Sequence, residues 1–180
     1  MTIESDWHDI EAVLEQRSPR VLADLRPPIT PEEVARWSAT AGELPHPLLE
    51  LYAVHAGTTT RGAGGFSFIA EWYPLTVEDA LVRYEWCQKQ SEIWGQPTFI
   101  PFAFDLSGYH LAVSPGGGSD LTVIRTDSPL GSYEDYPTIE TLLTATIEGL
   151  RGNNRDWRPE FTATELSWTN LEEEADDLGL

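Results

Sequence analysis

TFIPFAFDLSGYHLAVS, residues 98–114, decides how this chain is read. Two apolar runs, Thr98–Phe104 and Tyr109–Ser114, flank Asp105, Leu106, Ser107 and Gly108, and aspartate, serine and glycine are turn formers. The segment therefore predicts two consecutive antiparallel strands joined by a tight turn. Downstream, PGGGSD (115–120) marks another turn that leads into a strand candidate, LTVIRT (121–126). Upstream, RGAGGFSFIAEWYPL (61–75) predicts a half-buried strand with Phe66, Phe68 and Ala70 inward and Ser67 outward.

Helices are predicted around this set. Ile3, Trp7, Ile10 and Leu14 recur at three- and four-residue intervals, giving a helix from Ile3 to Gln16 that RSPR and LRPPI then break. Thr30, Pro31 and Glu33 make a capped start for a second helix that ends near Gly42. In ELPHPLLELYAVHAG (43–57), Pro45 and Pro47 start a short helix with Leu48, Leu51, Tyr52 and His55 along one side and Gly57 as its left-handed terminator. Thr76 and Asp79 cap a longer helix through Trp94, with Val77, Leu81 and Tyr84 on one face that Cys87 or Gln88 extends. Ile139, Leu142, Leu143, Ile147 and Leu150 mark a further helix, and Trp7, Trp37 and Trp94 read as core. TELSWTNLEEEADDLGL (164–180) reads as an acidic tail or a loosely docked helix. Successive strands flanked by helices indicate an α+β fold with a mainly antiparallel sheet of about four to six strands. Residues 1–152 are expected to form the domain and 153–180 an acidic C-terminal extension.

Charge and composition exclude several functions. A net charge of −19 and a pI near 4.3 oppose binding to nucleic acid or to an anionic membrane, both of which need a basic face. A basic protein partner is favoured instead. Cys87 is the single cysteine, so no intrachain disulfide forms and a reducing compartment suits the chain. The acidic N-terminus does not read as a signal peptide, and no run of about eighteen apolar residues marks a spanning helix. A cytoplasmic location is expected.

The side chains that do chemistry do not converge in the sequence. His8, His46, His55 and His110 are scattered without metal-ligand spacing and read as surface or core-edge residues. GFSFI lacks the second glycine of a nucleophile elbow, and Cys87 sits beside Trp86 inside a helix as a packed thiol. PGGGSD lacks the lysine of a phosphate loop, since Lys89 is the chain's only lysine and lies elsewhere. Neither a catalytic residue nor a cofactor or metal site is expected.

The order of elements resembles the SUKH superfamily, which includes fungal Knr/Smi-type cell-wall-assembly regulators and many bacterial immunity proteins. The resemblance covers residues Trp7 to Leu150 and rests on moderately specific motifs. Leu44 and Pro45, then Leu51 and Tyr52, then Gly57 match the family's LP…LY…G element, and Ile100, Pro101, Asp105 and Gly108 match its IP…D…G hairpin. Ser114 and Pro115 depart from the family's usual aspartate after the hairpin strand, which weakens inference about a shared ligand surface.

The resemblance implies a non-catalytic immunity protein that blocks a cognate toxin, a nuclease above all, at its active or nucleic-acid-binding site. The alternative it implies is an intracellular scaffold or regulator with several partners. Candidate partner-binding residues, chosen by position, are Glu71, Trp72 and Tyr73 after the first strand, Asp105 and Tyr109 at the hairpin, Asp120, and Glu134 with Asp135.

Overall fold

A computed structural model describes residues 2–62, 64–94, 98–114, 120–125, 128–132 and 135–178. Four helices come first: α1 (Ile3–Arg17), α2 (Pro19–Asp24), α3 (Pro31–Ala41) and α4 (His46–Val54). After β1 (Tyr73–Pro74) and α5 (Val77–Trp94), the chain runs through β2 (Ile100–Phe104), β3 (His110–Val113), β4 (Leu121–Arg125) and β5 (Ser128–Ser132). It closes with α6 (Ile139–Leu150), the hairpin β6 (Trp157–Phe161) and β7 (Leu166–Asn170), and α7 (Leu171–Leu178). The sheet has five strands in the order β1-β2-β3-β4-β5, every neighbouring pair antiparallel. This is the expected α+β class. Among the described residues no helix is long and apolar enough to cross a membrane.

Local chemistry explains why these segments take these forms. Thr30 accepts the Glu33 amide at 3.2 Å while the Glu33 carboxylate accepts the Thr30 amide at 2.9 Å, closing a capping box at α3. Thr76 accepts the Asp79 amide at the start of α5 in the same way. At the β2–β3 turn the Asp105 carboxylate accepts the amides of Ser107 at 3.0 Å and Tyr109 at 2.7 Å, and Gly108 takes a positive φ of 92°. Proline interrupts a ladder because it has no N–H, and the β2–β3 register shifts between Pro101 and Ala103.

One aromatic cluster organises the core. Trp7 of α1 lies 5.4 Å from Phe66 and 5.8 Å from Phe68 between ring centroids, and His55 meets its edge at 5.0 Å. Helix α1 packs on α2, α4 and α6, while α5 covers β2 and supports α3. Trp37 is buried as expected; the side chain of Trp94 lies outside the described residues.

Several sequence expectations are corrected. The RSPR…LRPPI stretch is not a plain break: Pro19 occupies the first turn of α2, where a missing N–H costs nothing, and Val21 is buried. Gly57 does not end α4, which stops at His55 in extended conformation. Its φ of 92° instead lets the backbone pass against the Leu75 carbonyl, where a Cβ would collide. The strand expected over 66–70 does not form, because Ser67 is buried along with Phe66, Phe68 and Ile69, and Ile69–Glu71 is a 3₁₀ turn. Alternation requires one wet face, and here both are covered. Strand β5 was not expected, since Pro129 and Gly131 are poor strand formers tolerated at a sheet edge.

The stretch expected as an acidic extension enters the fold. Leu166 and Trp168 of β7 belong to the main core, and Trp168 Nε1 donates to Ser67 Oγ at 3.2 Å. Gly149 of α6 makes room for this ring: a Cβ there would lie 2.6 Å from Trp168 Cζ3. Trp168→Ala is therefore expected to cost about 3–5 kcal/mol, read as a lower urea midpoint in circular dichroism. An unchanged midpoint would mean that the hairpin is a detachable tail.

Candidate functional site

The C-terminal hairpin does more than fill the core, because its ends build one wall of a surface cleft. Asn154 Oδ1 accepts the amides of Asp156 and Trp157, both at 3.0 Å, which turns the chain into β6. Asn170 Oδ1 likewise accepts the Glu172 amide at 3.0 Å and the Glu173 amide at 3.4 Å, which starts α7. The Leu171 amide donates to the Asp156 carbonyl at 2.9 Å and ties the two turns together. Two asparagines thus fix the positions of Asp156 and Glu172.

The opposite wall is the segment that leads from β5 into α6. The Leu121 amide donates to the Pro137 carbonyl at 2.7 Å, and Asp120 forms an isolated antiparallel bridge with Thr138. Thr138 accepts the Thr141 amide at 3.2 Å, capping α6. These bonds hold Asp135 and Tyr136 against the hairpin. The resulting cleft, about 370 Å³, is lined by Asp135, Tyr136, Asp156, Trp157, Asn170 and Glu172.

Its field is negative. Burial, then the Asp135 and Asp156 carboxylates, push the Tyr136 phenol up to about 12, against a smaller opposing effect of its hydrogen bond with the Asn154 side chain. Arginines compensate acids elsewhere: Arg26 meets Glu33 at 3.1 Å, Arg151 meets Asp9 at 3.0 Å, Arg158 meets Glu174 at 3.0 Å, and Arg61 pairs with Asp79. Among the described residues, no ion pair reaches Asp135, Asp156 or Glu172.

The residues singled out from the sequence fall in different places. Asp135 is exposed on the cleft, and Asp120 is exposed beside the segment that carries it. Trp72 and Tyr73 are 6% and 2% exposed, so they are interior residues rather than a partner surface. The reason is the failed strand: the chain turns back so that Trp72 bridges to Phe68 and Tyr73 begins β1 against Phe104. Asp105 uses its carboxylate to hold the β2–β3 turn, and Tyr109 is half-buried against the core. Glu134 lies outside the described residues. Glu71 is half-exposed and shares with Ala70 a left-handed backbone, φ 60° at both.

His55, His110 and the thiol hold structural places, while His8 and His46 are exposed. His55 joins three segments, its Nδ1 2.8 Å from the Arg26 carbonyl and its Nε2 2.7 Å from Glu11. His110 is buried on β3, and desolvation lowers it to about 4, with Arg83 adding to the effect. Burial raises the Cys87 thiol to about 11, leaving it protonated and unreactive at neutral pH. Among the described residues no group of three or more histidine, cysteine or acidic side chains is placed to hold a metal ion.

Asp156, Trp157, Asn170 and Glu172 were missed because they lie in the expected extension. Two signals were present: Trp157 among polar residues, and asparagine two positions before an acid at both Asn154 and Asn170. No family model and no curated protein matches the chain.

Two outcomes test this geometry. Tyr136 is protonated in the folded state to a higher pH than its ordinary 10.0, so the stability it contributes is present below about pH 10 and lost as pH rises toward 12. Replacing Asp135 and Asp156 by asparagine should lower that upper limit, followed by the phenol carbon shift in NMR; an unmoved titration would contradict the negative field. Glu71→Asn, which tolerates the left-handed region, should stabilise the fold by about 0.5–1 kcal/mol, seen as a raised melting temperature. A lowered one would mean that the Glu71 side chain contributes more than its backbone strain costs.

Proposed function

We propose that this chain is a non-catalytic protein-binding domain, an immunity protein that neutralises a cognate basic toxin, a nuclease above all. The observation that carries the reading is the charge distribution. A net charge of −19 is combined with arginines that pair with acids elsewhere on the same chain and a concave surface whose three carboxylates they leave uncompensated. A nuclease needs a basic cleft to meet phosphate, and an acidic protein competes for that cleft. Complementary charge also speeds encounter and disfavours wrong partners.

The mechanism is occlusion. The protein occupies the toxin's active or nucleic-acid-binding surface in the cytoplasm of the producing cell, and no bond is made or broken. The element order that resembles the SUKH superfamily supports the same reading, since that group contains many immunity proteins.

Affinity capture of the tagged chain from its own cells, at low and high salt, tests it. One stoichiometric basic partner is expected, released by salt, that stops growth when produced alone and permits it when this chain is co-produced. Salt-insensitive capture, or several weak housekeeping partners without toxicity, would overturn the reading in favour of a cellular regulator.

A further inference from the structure

The cleft between the 135–138 segment and the C-terminal hairpin combines two kinds of group that one class of side chain satisfies together. Tyr136 and Trp157 supply aromatic surface, and Asp135, Asp156 and Glu172 supply negative charge. Cations are attracted to aromatic faces, by about 0.5–2 kcal/mol depending on desolvation. Carboxylates bond a guanidinium through a planar fork that an ammonium lacks. The walls are set before binding, because Asn154 and Asn170 fix the two turns and the Asn154 side chain holds Tyr136. Preformed walls reduce the ordering cost of association.

We infer that this cleft receives an arginine side chain presented by the basic partner, with its guanidinium against Tyr136 or Trp157 and its N–H groups donating to Asp156 and Glu172. The inference rests on the basic-partner reading above and names the surface and the residue type it reads. Charge complementarity selects the occupant: the cleft sets three carboxylates beside two aromatic rings, and among the described residues none of the three forms an ion pair within the chain. A pocket of about 370 Å³ has room for one long side chain. Lysine meets the charge but neither stacks nor forks as arginine does.

The test titrates the full chain with a tri-arginine peptide, a tri-lysine peptide, a neutral tri-citrulline peptide and spermidine, following amide shifts by NMR. Tri-arginine should bind about threefold or more tighter than tri-lysine, with shifts at residues 136, 154–157 and 170–172, and tri-citrulline should not bind. Asp156→Asn with Glu172→Gln should weaken tri-arginine about tenfold. Glu15→Gln with Glu148→Gln removes the same charge from exposed positions away from the cleft and should change affinity less than about twofold. Equal binding of the lysine peptide, tighter binding of spermidine, equal loss in both double variants, or shifts spread over the surface would each overturn the proposal. The captured partner separates the two readings. Salt-sensitive capture that survives Asp156→Asn with Glu172→Gln removes this cleft and keeps a basic partner, whereas salt-insensitive capture removes the basic partner itself.

Discussion

The seat of the Trp168 ring against Gly149 and Ser67 is the contact on which the rest of the arrangement depends. Its indole N–H satisfies the buried Ser67 hydroxyl, and its benzo edge fills the space left by the missing side chain of α6. The contact covers the second face of the 66–69 segment, which is why that segment is buried throughout and cannot be a strand with one wet side. It also holds β6 and β7 beside α6, and so fixes where Asp156 and Glu172 emerge. Core packing and surface charge are joined through one side chain.

Acidic residues serve two purposes that composition does not separate. Asp105, Asp79 and Glu33 use their carboxylates within the chain, accepting from turn amides, from the Thr76 hydroxyl and from the Thr30 amide respectively. Asp24 does the same for residues 58–60, accepting from the Thr60 amide at 3.0 Å and from the Thr58 and Thr60 hydroxyls. Asp135, Asp156 and Glu172 have no such engagement through their carboxylates among the described residues. A carboxylate that holds a turn or caps a helix keeps its charge but has its oxygens occupied, whereas at the cleft the backbone amides of 156, 157, 172 and 173 are held by asparagine side chains.

What the sequence made legible follows from the range of the interactions involved. The capping box at Thr30, Pro31 and Pro47 in first turns and the Asp105–Gly108 turn are decided within four residues, and those elements form as their patterns predict. The 61–75 segment misleads because its alternation of Phe66, Ser67 and Phe68 is local, whereas the ring that covers Ser67 comes from 101 residues away. Gly57 misleads for a related reason: its permissive backbone serves a contact with Leu75, not the helix it follows. Half of the cleft was hidden because a polar, acid-rich C-terminus has few apolar anchors, and two of them, Leu166 and Trp168, suffice to dock it. The other half was legible only as Asp135 and its neighbour Asp120, without the hairpin that gives them a facing wall.

That separation of 101 residues between Ser67 and Trp168 has a consequence for the time at which the surface exists. Synthesis proceeds from the N-terminus, and a contact of such span forms only after its later partner leaves the ribosome. Helices α1 to α6 and the five-stranded sheet are encoded upstream of β6 and can collapse while translation continues, but the cleft lacks a wall until residue 172 has emerged. Recognition of a partner through this surface thus has to wait until both of its walls have been synthesised.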